Sequence, residues 1–206
     1  HELYHKNLEQ HARKWWRDRG IPDSMQDWWQ FGWQPKYEVH MPDDQLWVTP
    51  SATIPLYSVG WNVQNIKHRL VTPPPHGGKY RYELRGDDKP WFVANPDEKI
   101  EGRVIVVEGE IKAAVLYVGL DMADAVIVGI PGATPQKGIF APLKDCEQVV
   151  LVMDPGTEEA ASKIAQAIGT KIVRTLIPHQ KIDDMIVGAK MGKGEIRHLL
   201  AQARPA

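Results

Sequence analysis

The chain has 206 residues, of which 43% are hydrophobic and 25% charged, and its formal net charge is −1. These values are typical of a globular protein, and no apolar run approaches the roughly 18–20 residues that a membrane span needs. The single cysteine, Cys146, excludes an internal disulfide and a CxxC zinc site, so we expect a reducing, cytoplasmic environment. Because the chain begins at His1 rather than at methionine, we expect neighbouring domains outside it.

The first half reads as a small mixed α+β region. Apolar periodicity predicts a helix over residues 2–19 and a shorter one that ends at Trp29, and extended segments are predicted at 52–59, 62–71 and 79–84. All eight tryptophans lie within the first 91 residues. They suit the core of this region better than a platform on which bases stack, although both uses are open.

The sequence pattern of the second half differs from that of the first, because short apolar runs alternate with helical patterns. This alternation predicts βα units and a mostly parallel sheet that is covered on both faces. The connector NPDEKIEG marks a boundary near residue 100, which gives domains 1–100 and 101–206. The predicted strands are RVIVVEG, AVIVGIPG, QVVLVMD and KIVRTLI, and the predicted helices cover 110–118, 157–168 and 194–203.

Basic residues concentrate in two clusters of the first half. One runs from Lys67 to Arg85, with five basic residues against a single acid, and the other lies in the first helix, from Arg13 to Arg19. Either cluster alone is explained by a solvated charged face. Together with acids that gather elsewhere, they suit a polyanionic substrate such as nucleic acid.

Acidic residues follow three of the predicted parallel strands in the second half. Glu108 follows RVIVV, Asp154 follows QVVLVM, and Asp183 and Asp184 come after KIVRTLIP. Ligands of open α/β sheets bind beyond the carboxyl ends of the strands, although one such acid can equally cap a helix. Three sites at one edge predict a divalent cation, Mg²⁺ or Mn²⁺, which would relieve the repulsion between carboxylates and clamp phosphoryl oxygens.

Several segments, taken in order, resemble known proteins. VVEGEIKAAVLYVGL, VGIPGA, VLVMDPGTEEAASKIAQAIG and LIPHQKIDDMI resemble a Toprim domain. Upstream, WWRDRGIPDSMQDWWQFGW and ATIPLYSVGWNVQNIKHRLVTPPPHGGKY resemble the segment that precedes Toprim in bacterial and phage primases. The whole chain is thus similar to the catalytic core of DnaG-type primases, which implies a Toprim-like α/β domain preceded by a small basic α+β subdomain.

The resemblance implies a role for each matching residue. Glu108 is then a metal ligand or general base, Asp154 the first aspartate of a DxD motif, and Asp184, with Asp183 beside it, the later acidic motif. The basic residues that would hold template or nucleotide are Arg69 and Lys79 by resemblance, and Arg81 and Arg85 on physical grounds. Lys112, one turn into the helix after Glu108, would meet a phosphate, solvent or a nearby acid.

The chain departs from the family pattern at the DxD motif. Its sequence there is DPG, so Gly156 stands where a second carboxylate is expected. Glu110, Glu158 or Glu159 could supply a replacement oxygen, and Glu158 could equally favour the start of a helix. Zinc-binding residues that commonly precede this core are also absent from the sequence.

The resemblance predicts a DNA primase core that synthesises short RNA primers by metal-dependent nucleotidyl transfer. Its partners would be a single-stranded DNA template, ribonucleoside triphosphates and a replicative helicase, in the same chain or a separate one, with no membrane. The DPG motif keeps two alternatives open: a degenerate Toprim module that binds nucleic acid or a helicase without turnover, and a Toprim nuclease. The compact size and unusual motif suggest a phage or mobile element.

Overall fold

The computed structural model describes residues 1–42, 44–86, 90–121, 125–132, 140–169 and 171–206. The chain divides into two compact units, of which the first takes His1–Leu56 and Val63–Asp88 and the second takes Tyr57–Asn62 and Lys89–Ala206. The second unit therefore begins before the boundary predicted near residue 100. The reason is a short strand at Phe92–Val93, which pairs within the sheet of the second unit.

The first unit contains three short helices and a four-stranded sheet. The helix predicted over 2–19 is two helices, because the chain leaves helical geometry at Asn7 and resumes it at Gln10. Leu3 is exposed, so the first of them does not share the apolar face that includes Ala12 and Trp16. The elements are α1 Glu2–Lys6, α2 Gln10–Arg17, α3 Asp23–Trp28, β1 Gly32–His40, β2 Leu46–Tyr57, β3 Val63–Leu70 and β4 Tyr80–Tyr82, in sheet order β1-β2-β3-β4.

Aromatic rings form the core of this unit between α2, α3 and the start of β1. Trp16, Trp29 and Phe31 are fully buried, and the ring of Phe31 lies 4.6 Å from that of Trp16 and 5.3 Å from that of Trp29. Such rings bury large apolar areas and stabilise a small domain disproportionately. These two tryptophans therefore build the core, as the sequence indicated.

The second unit is an α/β domain with a mostly parallel six-stranded sheet, as predicted. The four predicted strands form its centre and are parallel to one another. Two-residue strands pair antiparallel at the edges. The strands are β5 Phe92–Val93, β6 Arg103–Glu108, β7 Val126–Ile130, β8 Gln148–Val152, β9 Val173–Leu176 and β10 Arg204–Pro205, in order β10-β9-β8-β6-β7-β5.

Helices connect these strands and cover both faces of the sheet. Val104 and Val106 pack in one cluster with side chains of the helix that follows β8. Ile105 and Val107 point to the other face and are also buried, so β6 has water on neither side. The helices are α4 Glu110–Leu120, α5 Glu158–Ile168 and α6 Lys193–Ala201, with a 3₁₀ turn at Ala141–Leu143 and a π-helical turn at Asp184–Gly188. In the part of the chain that the structure describes, no helix has the length and apolar character to cross a bilayer.

Candidate functional site

The predicted acidic residues follow three adjacent strands of the second sheet. Glu108 is the last residue of β6, Asp154 lies two residues beyond β8, and Asp183 lies in the segment that follows β9. Strands β9, β8 and β6 are neighbours and run parallel, so their carboxyl ends meet at one edge. The strands after which these acids come are therefore parallel neighbours, as predicted.

A sharp turn between β6 and α4 sets the position of Glu108. Gly109 has φ 99°, a backbone conformation that side-chain-bearing residues rarely adopt. Its N–H donates a hydrogen bond of 2.8 Å to the carbonyl of Ile130, and its own carbonyl accepts one of 3.2 Å from Ala113. The turn is thereby tied both to the end of β7 and to the first turn of α4.

Lys112, on α4, forms an ion pair with Asp154. Its Nζ donates a hydrogen bond of 2.7 Å to Asp154 Oδ2, and the two side chains are only 15% and 16% exposed. The backbone of Asp154 is held as well, because Thr157 Oγ1 donates to its carbonyl at 2.7 Å. Of the three roles that the sequence left open for Lys112, the structure has the contact with a nearby acid.

The other two acids differ in burial. Asp184 is exposed, whereas Asp183 is partly buried, and burial raises the pKa of the Asp183 carboxyl. Lys112 opposes this rise in pKa, and the negative charges of Asp184 and Asp154 add to it. Asp183, Asp154 and Lys112 therefore lie close enough to interact electrostatically.

Two carboxylate oxygens at this edge are buried without a hydrogen-bond partner among the described residues: Glu108 Oε2 and Asp183 Oδ1. Leaving such an oxygen unpaired away from water costs about 1–3 kcal/mol or more, so these atoms are suited to accept a cation. Carboxylate oxygens are also the donors that Mg²⁺ and Mn²⁺ prefer. The donor set thus fits a divalent metal.

The same acids are not arranged as a ready-made metal site. Within the described ranges, no three His, Cys, Asp or Glu side chains are grouped so that they could hold a metal ion. The sequence led us to expect Glu108, Asp154 and Asp184 to gather into such a group. Asp154 instead bonds to Lys112, and Asp184 is exposed. Metal binding by these residues stays a prediction.

The candidate replacements for the missing aspartate are placed differently from one another. Gly156 lies in a turn with φ 80°, which a glycine adopts without strain. Glu158 and Glu159 are in the first turn of α5, and Glu159 bonds to Lys163 at 2.6 Å. Glu110 is buried in the first turn of α4, where the helix dipole favours a negative charge.

The predicted basic residues of the first unit lie on two faces of its sheet. In the register of β3 and β4, Arg69 is opposite Tyr80, whereas Arg81 is opposite His68, the residue before Arg69. Opposed residues share a face and successive residues alternate, so Arg69 and Arg81 point to opposite sides. Arg85 is exposed. Burial and the charge of Glu83 raise the pKa of Tyr37, and the charges of Arg81 and Arg85 oppose this rise. The four cations predicted to line one groove therefore do not share a face.

Aromatic rings accompany the cations on the Arg69 face. The ring centroid of Tyr80 lies 4.3 Å from Lys67 Nζ and 5.4 Å from both Arg69 Cζ and Lys79 Nζ. Tyr82, opposite Lys67, adds a second ring at 5.4 Å from Lys67 Nζ. The sequence analysis assigned no role to these tyrosines. The sequence does predict that Lys67 and Arg69 lie on one face, because they are two residues apart in a predicted strand.

The second basic cluster joins this face through a single residue, Arg19. Its guanidinium lies 3.3 Å from the ring centroid of Trp15. Burial lowers the pKa of Arg19, and the positive charge of Arg69 lowers it further. The other three cations of that cluster, Arg13, Lys14 and Arg17, form ion pairs with aspartates of the same unit. We call Arg19, Arg69, Lys79, Tyr80 and Tyr82 the basic–aromatic surface. Lys67 lies against the rings of Tyr80 and Tyr82 but is only 2% exposed, so it is not part of that surface.

Comparisons with solved structures identify the fold. Over 98% of its length, the chain is similar to the DnaG primase catalytic domain bound to ssDNA (TM-score 0.76, 14% identity, 78% of that chain) and to the E. coli primase catalytic core (TM-score 0.76, 15% identity, 77% of that chain). It is also similar to the zinc-binding and RNA polymerase domains of the Aquifex aeolicus primase, with a TM-score of 0.74 and 16% identity, and it spans 58% of that chain.

These similarities lie in the structure rather than in the sequence. No protein-family model matches the chain, and no curated protein matches it either. The structural similarity nevertheless covers 98% of the chain, and it shows the fold that the sequence segments predict. The chain has the fold of the catalytic core of DnaG-type primases.

Proposed function

We propose that this chain is the RNA-polymerase core of a DNA primase, which synthesises short RNA primers on single-stranded DNA. The observation that carries the proposal is the position of Glu108, Asp154 and Asp183 after three adjacent parallel strands of a primase-like fold. Two buried carboxylate oxygens without partners at that edge support a cation there.

The chemistry proposed is attack by a 3′ hydroxyl on the α-phosphate of an incoming ribonucleotide, with pyrophosphate leaving. A Mg²⁺ or Mn²⁺ ion held by Glu108, Asp154 and Asp183, with Asp184 beside them, would stabilise the negative charge that develops on the phosphoryl oxygens. The chain's own contribution is to fix these carboxylates on a rigid sheet, where burial keeps competing water away from Glu108 Oε2 and Asp183 Oδ1.

The basic–aromatic surface is proposed to bind the nucleic acid. Cations neutralise phosphates, and aromatic rings stack on bases whatever their sequence, which suits a single-stranded template. Arg69 and Lys79 lie beside the ring of Tyr80, so one base and its flanking phosphates could be bound together. A related primase domain is described as bound to ssDNA, which agrees with this assignment. A replicative helicase as partner remains a prediction.

The test is primer synthesis with single-stranded DNA, labelled ribonucleotides and Mg²⁺ or Mn²⁺. We expect metal-dependent oligoribonucleotides, and we expect Glu108→Gln to lower their yield by about 100-fold or more, since a group that acts in phosphoryl transfer contributes several kcal/mol. Glu147→Gln is the matched control, because Glu147 is an exposed carboxylate that directly precedes β8, at the opposite end of the strand from Asp154. Products that survive Glu108→Gln unchanged would contradict the proposal.

A second candidate is a module that binds nucleic acid without turnover. Two observations favour it: Gly156 stands in place of a carboxylate, and Lys112 occupies the Asp154 carboxylate. DNA binding with no primers under either metal would select this candidate. Cleavage of the template that depends on Glu108 would instead indicate a nuclease.

A further inference from the structure

The ion pair of Lys112 and Asp154 differs from the surface ion pairs of this chain. Its two side chains are 15% and 16% exposed, whereas those of Lys163 and Glu159, at a similar distance, are 59% and 84% exposed. A pair shielded from water loses little of its attraction to solvent screening. Removing one partner would leave a poorly solvated charge on the other.

Both partners of this pair are held on ordered elements. Lys112 lies in the first turn of α4, which the Gly109 turn ties to the end of β7. Asp154 follows β8, and its carbonyl accepts a hydrogen bond from Thr157. The contact is therefore part of how the edge is built.

The ammonium group of Lys112 interacts with more than one carboxylate at this edge. Lys112 bonds to Asp154 and also attracts the Asp183 carboxylate, yet in the part of the chain that the structure describes Asp183 Oδ1 and Glu108 Oε2 have no hydrogen-bond partner. A single positive charge does not compensate these acids. Glu108 Oε2 and Asp183 Oδ1 therefore remain as oxygens that suit a divalent cation. Asp154, the ligand expected after β8, is already bonded to Lys112.

We propose that Lys112 competes with the divalent cation for Asp154. The inference rests on the proposed function, because it concerns the cation site of that activity. In the protein without metal, the ammonium neutralises Asp154. When the metal binds, Lys112 releases Asp154 and its charge becomes available to a phosphate of the substrate. The competition accounts for the contact that Asp154 makes with Lys112 in this structure.

The experiment measures Mn²⁺ binding by the whole chain, by titration calorimetry or by the electron paramagnetic resonance of free Mn²⁺, without substrate. Lys112→Met keeps the length of the side chain and removes the charge. We expect it to lower the Kd for Mn²⁺ roughly tenfold or more, since the lost pair is shielded. Lys163→Met, which breaks the exposed pair with Glu159, should leave the Kd within about twofold of wild type.

A second background tests whether Lys112 acts through Asp154. In Asp154→Asn, the substitution Lys112→Met should no longer tighten Mn²⁺ binding, because the contested oxygen has lost its charge. Thermal unfolding gives an independent measurement: Lys112→Met should melt below wild type without metal, and saturating Mn²⁺ should raise its Tm by more than it raises that of wild type.

The possible results separate this inference from the proposed function. Equal or weaker Mn²⁺ binding by Lys112→Met would overturn the competition, and Glu108-dependent primer synthesis would then still support the primase. If neither wild type nor Lys112→Met binds Mn²⁺, the proposed competition is also wrong. The primer assay then tests the proposed function separately. Tighter binding by Lys112→Met without any primer synthesis would support the competition in a protein that is not a primase.

Discussion

Gly129, in β7, is the position where the packing of the candidate site can be tested most sharply. A Cβ atom added there would lie 2.8 Å from Glu110 Cα, 3.0 Å from the Gly109 carbonyl oxygen and 3.1 Å from Ala113 Cβ. Ordinary contacts of a Cβ atom are 3.4–4 Å, and the first two of these neighbours are backbone that no rotamer change can move. Gly129→Ala must therefore push the start of α4 away from the sheet.

The expected cost is that of overpacking a core, about 1–3 kcal/mol in the free energy of unfolding. For a chain of this size that cost corresponds to a fall in Tm of roughly 2–12 °C. Because the displaced segment includes Gly109, Gly129→Ala should also move Glu108 and reduce primer synthesis under conditions in which the variant is folded.

Thermal unfolding by calorimetry or circular dichroism provides the measurement, and Gly194→Ala provides the control. Gly194 lies in α6 with no heavy atom within 4 Å of an added Cβ, so alanine should stabilise the helix by about 0.5–1 kcal/mol. The reasoning fails if Gly129→Ala is as stable as wild type, since the close approach of β7 and α4 would then not constrain the site.

Three further predictions concern separate parts of the chain. Tyr80→Leu should weaken binding of single-stranded DNA about 5- to 150-fold in fluorescence anisotropy, because a stacking ring among three cations is lost, and unchanged affinity would contradict this. Gly156→Ala and Gly156→Asp should each cost about 1 kcal/mol of stability at φ 80°, but only the aspartate should tighten Mn²⁺ binding in calorimetry; equal effects would refute the role of the charge. Burial lowers the pKa of His68, so as the pH falls His68 takes up a proton more readily in the unfolded chain than in the folded chain. Wild type should lose stability relative to His68→Gln as the pH falls below about 6.5, in urea unfolding at several pH values, whereas parallel curves would contradict it.

The central strands of the second unit were predictable because their apolar sequences indicate that both faces are buried. After Arg103 and Gln148, the runs VIVV and VVLV are apolar without interruption, as expected of strands covered on both faces, and they lie in β6 and β8. The acids that follow them were therefore predictable as a group at one edge. Gly109 and Gly156 also mark real turns with positive φ.

Short edge strands and the break in the first helix were not predictable in the same way. β5 and β10 contain two residues each, too few to show any periodicity, and they exist because the neighbouring strand offers free backbone groups. No glycine or proline marks the break at Asn7–Glu9, so tertiary packing against β1 decides where α1 ends. Strand β1 was missed, since its alternation is interrupted by Pro35 and a register shift.

The side-chain partners at the candidate site lie beyond what a sequence pattern contains. Spacing along α4 places Lys112 one turn after Glu108, but it does not say which of several acids the ammonium meets. That depends on the order β9-β8-β6, which brings the residue after β8 beside the helix that follows β6. Likewise, the register of β3 and β4 separates Arg69 from Arg81, and register was not predicted.

The central claim is that the carboxyl edge of β6, β8 and β9 binds a divalent cation. Crystals grown with MnCl₂ and measured for the anomalous scattering of manganese test it most directly. The account predicts an anomalous peak coordinated by Glu108 together with Asp154 or Asp183, and Lys112 withdrawn from Asp154. A map without a peak at this edge, with Lys112 still bonded to Asp154 at saturating Mn²⁺, would contradict it.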